Sequence, residues 1–132
     1  MSDTQGLYRN PDLKITIIFI NIQDRDVLRK NIQERTLAML DEGLVDEVKN
    51  LRDNFKLTND HQSMKAIGYK ETLQYLSNKI TFKELISSIT ISTQQLAKRQ
   101  ITWMNKFDID YQHLYPNGDY KKLYDYVGNL LN

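Results

Sequence analysis

Residues Lys14–Ile22 read KITIIFINI. The run is short and dense in β-branched side chains, so it reads as a strand buried on both sides, as in a parallel sheet covered by helices. Such a strand needs neighbours. The best candidate elsewhere is Asp108–Leu114, DIDYQHL, which is shorter and more polar. Two strands alone do not make a stable sheet, so part of the sheet is expected to lie outside this chain. Upstream, residues 1–13 are polar with Gly6, Asn10 and Pro11, the composition of a flexible arm. That leaves 14–132 as a single segment.

Downstream of the strand the pattern turns helical. Asp24 caps a predicted helix to about Leu40, with Val27, Leu28, Ile32, Leu37, Met39 and Leu40 available for burial. Gly43 breaks it, and a second helix over Leu44 to about Asn54 buries Val45, Val48 and Leu51. A polar linker, Lys56–His61, precedes SMKAIGYKE at Ser63–Glu71. There Ser63 can cap a helix that continues to Leu76, with Tyr69 in the core. Alternatively the glycine lets backbone approach a ligand, with Tyr69 stacking on it. Thr81 with Glu84 forms a capping box for a long helix reaching Phe107. Pro116-Asn117-Gly118 turns the chain into a last helix, Tyr120–Leu131, with Tyr124, Val127, Leu130 and Leu131 as its buried stripe. The expected fold is α/β and helix-rich, with about five helices and two short strands.

The second half of the long helix, ITISTQQLAKRQITWMNKF at Ile89–Phe107, has two characters. Phe82, Leu85, Ile86, Ile89, Leu96, Ile101 and Met104 recur at helical spacing and form a face to bury. Lys98, Thr102 and Asn105 or Lys106 form another column, with Arg99 beside it. No acidic residue lies between Leu85 and Lys106. Periodicity alone favours a solvated basic face, although an unbroken basic and polar run also suits a surface that meets something negative.

Composition bounds the rest. The 132 residues carry 18 basic and 17 acidic side chains for a net charge of +1, so any nucleic-acid surface must be local. Absence of Cys excludes disulfides and thiolate metal sites. No apolar run approaches membrane-spanning length, and a soluble intracellular protein is the expectation. No G-x-x-x-x-G-K-[ST] loop occurs. His61 and His113 lack metal-ligand spacing and are expected to be surface or satisfied residues, and Asp108 and Asp110 to be solvated in a polar turn.

Thr93–Trp103, TQQLAKRQITW, resembles the T-R-Q-L-A-K-R-Q-x-T-W signature of the tRNA dimethylallyltransferases, departing from it only where Gln94 replaces Arg. Asp24, Arg25, Leu28, Ile32, Arg35, Met39, Gly43, Leu44, Glu47 and Val48 also fall in register with the pattern D-R-x-x-L-x-x-x-I-x-x-R-x-x-x-M-x-x-x-G-L-x-x-E-V. Ser63–Glu71 matches S-x-x-x-[IV]-G-Y-[KR]-[EQ]. The resemblance runs from about Asp12 onward and corresponds to the C-terminal part of the family, whose members are P-loop-type α/β proteins similar to nucleoside kinases.

It implies transfer of a dimethylallyl group from its diphosphate to N6 of the adenosine 3′ of the tRNA anticodon. It also implies a preceding part that holds the phosphate loop, the proposed general base and most of the anticodon-gripping insertion. Carried over residue by residue, Arg35 contacts the donor diphosphate; its fallback is an exposed arginine paired with Glu34 or Asp41. Arg25 is read as structural. The RNA-contacting set is Lys65, Ala66, Ile67, Gly68, Tyr69 and Lys70 on the first motif, with Lys98, Arg99, Gln100, Ile101, Thr102, Trp103, Met104 and Asn105 on the helix. The complete enzyme would use Mg2+, with none expected on this chain alone. Partners would be the tRNA anticodon stem-loop and dimethylallyl diphosphate, with no membrane, a cytoplasmic location and self-association through strand 14–22. The competing class is a non-catalytic RNA-binding or helical interaction module.

Overall fold

The computed structural model describes residues 12–132, which divide into two units. One joins 12–23 to Met104–Asn132; the other is Asp24–Trp103. Most of the expected arm over 1–13 lies outside the described residues; Asp12 and Leu13 are exposed.

In the first unit, strand β1 (Ile18–Asn21) pairs in parallel with β2 (Tyr111–Leu114). The register runs from Ile18 opposite Tyr111 to Asn21 opposite Leu114. Asp110 is not merely solvated, as expected, because its Oδ2 accepts the Ile17 backbone N–H at 2.8 Å and secures the entry to β1. The strand is shorter than Lys14–Ile22, and it is not buried on both sides. Among the described residues it has a ladder partner on one edge only, and Ile15 is 63% and Ile20 59% exposed.

The last helix of this unit spans Tyr120–Leu131, and Asp119 caps it by accepting the Lys122 N–H at 3.2 Å. Its expected stripe is corrected. Tyr124, Leu130 and Leu131 are exposed, whereas Leu123, Tyr126 and Val127 are partly covered. Tyr126 turns inward because its ring stacks on Tyr111 of β2, centroids 4.7 Å apart. His113 is also corrected. It is 2% exposed, its ring lies 4.6 Å from that of Tyr120, and its Nε2 finds no partner among the described residues. Gly118 is required where it stands, since a Cβ there would clash with the Leu114 carbonyl oxygen.

The second unit is helical. Helix α1 (Arg25–Asp41) is followed by α2 (Leu44–Phe55), a 3-10 turn (Gln62–Lys65), α3 (Tyr69–Leu76) and α4 (Phe82–Met104), the Tyr120–Leu131 helix becoming α5. Asp24 caps α1 as expected, accepting the Asp26 and Val27 N–H groups at 2.9 and 3.3 Å. The Thr81–Glu84 capping box also forms: the Thr81 N–H donates to Glu84 Oε2 at 2.9 Å, and the Glu84 N–H donates to Thr81 Oγ1 at 3.2 Å.

Ser63 caps no helix. It sits in the 3-10 turn, and α3 starts at Tyr69. Leu44, Val48, Met64, Leu73, Leu85 and Ile89 close into one core, with Met39, Leu40, Val45, Leu51 and Ile67 packed on it. The apolar face of α4 is therefore buried only in its first half, at Leu85 and Ile89; Phe82 and Leu96 remain exposed. The helix ends at Met104, three residues short of Phe107, whose N–H donates back to the Met104 carbonyl at 3.1 Å.

Candidate functional site

Arg35 lies on α1 and is exposed, one residue before the buried Thr36, whose hydroxyl donates to the Ile32 carbonyl at 2.9 Å. Burial of Ile32 and Thr36 sets the inward face of α1 and so turns Arg35 to solvent. It pairs with neither Glu34 nor Asp41; Glu34 is taken instead by Lys30 at 3.9 Å. An open groove lined by Leu37, Ala38, Leu40, Asp41 and Phe82 includes none of the expected site residues.

From Lys65 to Lys70 the chain passes from the 3-10 turn into the start of α3, with covered residues at its centre and exposed ones at both ends. Met64 and Gly68 are buried, and Ile67 and Tyr69 are half-buried against the core. Lys65, Ala66 and Lys70 face solvent. Gly68 has φ 97° and ψ −49°, a backbone that L side chains rarely adopt, which explains the glycine.

Tyr69 is anchored rather than loose. Its hydroxyl donates to Glu47 Oε1 on α2 at 2.8 Å. That hydrogen bond, followed by burial and the Glu47 charge, pushes the phenol pKa above its usual value. The position of Glu47 in the sequence pattern thus has a physical reason that periodicity did not reveal.

On α4, Lys98, Arg99, Gln100 and Thr102 are exposed, and the Thr102 hydroxyl returns to the Lys98 carbonyl at 2.9 Å. Ile101 and Met104 are partly covered, Trp103 is 57% exposed, and Asn105 lies exposed just past the helix end. Lys65, Lys98 and Arg99 form no ion pair with a described residue, while Lys70 Nζ approaches Glu71 Oε1 at 3.8 Å.

Glu71 is the residue that sequence reasoning passed over. It is buried and accepts the Gly68 N–H and the Ser92 hydroxyl. The signal was available, since a Glu three positions after a helix-starting residue is a capping arrangement. Among the described residues no group of three His, Asp or Glu could hold a metal ion, and no helix is long and apolar enough to cross a membrane.

Fold and surface define a helix-rich α/β protein that displays cations on a glycine turn and along a long helix. The sequence pattern of the family described as IPP transferase matches residues 1–107, and the chain belongs to that family.

Among curated relatives, the tRNA dimethylallyltransferase of Francisella tularensis subsp. novicida is 40% identical over 96 residues, covering 73% of this chain and 30% of that protein. The Francisella philomiragia enzyme of the same name is 40% identical over 84 residues, 64% of this chain and 27% of its own length. The chain thus spans about three tenths of the length of the curated relatives it matches.

Among solved structures, the full-length tRNA isopentenylpyrophosphate transferase of Bacillus halodurans superposes with a TM-score of 0.80 at 32% identity, over 98% of this chain and 42% of that one. The tRNA delta(2)-isopentenylpyrophosphate transferase of Staphylococcus epidermidis gives 0.78 at 27% identity, over 99% and 42%. The five helices and two short parallel strands are those of this transferase fold.

Proposed function

We propose that this chain acts as part of a tRNA-modifying transferase. The enzyme moves a dimethylallyl group from dimethylallyl diphosphate to N6 of the adenosine 3′ of the tRNA anticodon. Prenyl transfer breaks the C–O bond to diphosphate, forms a C–N bond to the amine and releases one N–H proton, so the enzyme must stabilise the departing diphosphate and hold the adenine in line. Arg35 serves the first need: its guanidinium stays charged and offers a planar fork to phosphate oxygens. Lys65–Lys70 and Lys98–Asn105 serve the second by holding the anticodon stem-loop.

The observation that carries this reading is the division within the two motifs. Ile67 packs on the core and Ile101 is partly covered, while Lys65, Lys98 and Arg99 stand exposed with no ion pair among the described residues, beside the exposed Leu96 and Trp103. A solvated face would be expected to mix its charges.

Among the described residues no group of three His, Asp or Glu stands together. The Mg2+ and nucleotide-type phosphate loop proposed for the complete enzyme are therefore not assigned to them, and no step is derived through the metal. A cytoplasmic location and self-association through β1 belong to the same proposal. The test is filter binding of an anticodon stem-loop RNA to the purified chain. Weak retention that falls steeply with salt is expected, each neutralised phosphate contributing about 0.7 to 0.9 to the slope. No retention at low salt, or retention indifferent to salt, overturns the reading.

A further inference from the structure

Glu71 is enclosed, its side chain 3% exposed, yet it is built from a group that resists burial. Its Oε2 accepts the Gly68 backbone N–H at 2.7 Å, and its Oε1 accepts the Ser92 hydroxyl at 2.9 Å. Lys70 Nζ, 3.8 Å from Oε1, supplies the nearest opposite charge. The Gly68 peptide is held from the other side as well, since Thr72 Oγ1 donates to its carbonyl at 2.6 Å. One carboxylate therefore spans from the glycine turn to the middle of α4. Ser92 immediately precedes the Thr93–Trp103 motif.

An apolar side chain would fill this space with less desolvation cost. A carboxylate supplies something else: a directional bond to two elements at once. That matters at Gly68, because a glycine at positive φ has other conformations open to it.

We propose that Glu71 is a positioning residue that fastens the Lys65–Lys70 turn to α4, so that the cations of both elements meet RNA as one preformed surface. The proposal rests on the RNA-binding reading above and adds to it a residue that touches no RNA.

The test uses the full chain, an anticodon stem-loop RNA and amide hydrogen exchange. Glu71→Gln keeps an acceptor for the Gly68 N–H and can donate its amide to Ser92 Oγ, so binding within about twofold of the parent is expected. Glu71→Ala, still helical by circular dichroism, is expected to bind about tenfold more weakly. Its salt slope should fall by about 1.5 as the two turn lysines lose register. Adding Lys70→Ala to Glu71→Ala should then cost nothing further.

Strict additivity of those two substitutions overturns the proposal. So does unchanged or tighter binding by Glu71→Ala, the result expected if the carboxylate merely offsets Lys70. If Glu71→Ala does not fold, Ser92→Ala, which severs only the α4 side, must lower affinity, and parent-like binding overturns the proposal. Faster exchange across residues 66–72 in Glu71→Ala, with α2 unchanged, supports the clamp; unchanged exchange refutes it. A parent chain that binds no RNA sinks the RNA reading alone, and the exchange result still decides the clamp.

Discussion

Arg35 and Tyr69 show how residues from neighbouring motifs take opposite parts. Arg35 is exposed with no ion pair among the described residues, so its removal should leave the core intact. Arg35→Ala is expected to change stem-loop RNA affinity less than twofold, while Lys98→Ala weakens it by about three- to tenfold, comparable to one lost phosphate contact. Equal losses would contradict a diphosphate role. The chain by itself, lacking a glycine-rich phosphate loop in its sequence, should give only background incorporation from labelled dimethylallyl diphosphate; turnover that Arg35→Ala abolishes would refute this.

Tyr69 behaves otherwise. Its hydrogen bond to Glu47 favours the neutral phenol and raises its pKa in the folded state. The stability it contributes is fully present below the unfolded phenol pKa, about 10, and is lost as pH rises through the folded value. The chain carries eight tyrosines, so the comparison must be with Tyr69→Phe. Urea denaturation should show the parent losing more stability than Tyr69→Phe as pH rises above about 10. Parallel curves would remove the Glu47 bond from the account.

At the scale of elements, α4 is the informative one. Its capping box is complete, with reciprocal bonds between Thr81 and Glu84. Thr81→Ala should lower stability by about 1 kcal/mol, read as a shift in urea midpoint without a change in slope. No measurable shift would mean the first turn frays regardless of the cap. The same helix changes character along its length: Leu85 and Ile89 are buried, whereas Lys98, Arg99 and Gln100 face solvent. On the proposed reading, the buried first half of the helix serves stability and the exposed second half serves recognition. The cap substitution should alter the first and leave RNA affinity largely as it was.

For the molecule as a whole, β1 poses the sharpest question. A parallel pair of four-residue strands is a small sheet, and Ile15 and Ile20 remain exposed beside it. An exposed apolar strand with one unpaired edge is a template for another chain. Covering such side chains is worth roughly 1.5–3 kcal/mol each. A homodimer or larger assembly is therefore expected, with Ile15, Ile17, Ile18, Phe19 and Ile20 in the contact. Light scattering at rising concentration checks it. A parent protein monomeric at high concentration, together with a folded Ile18→Lys variant, would end the idea.

Local physics made much of this legible in the chain itself. The Asp24 cap, the break at Gly43, the Thr81–Glu84 box and the turn at Pro116–Gly118 each depend on a few adjacent residues, and each appears where those residues stand. The contiguous motif at Thr93–Trp103 was likewise legible in the sequence, and it lies within one helix.

Burial was another matter. A stripe at helical spacing says which side chains share a face, but whether that face is covered depends on elements distant in sequence. Leu96 and Leu131 fit their stripes and are exposed, while His113 and Glu71 are polar and buried. Only the folded structure joins Glu71 to Ser92, and Tyr69 to Glu47, across 21 and 22 residues of sequence. Hydrogen bonds at that range leave no periodic trace, since each end satisfies its own helix independently of the other.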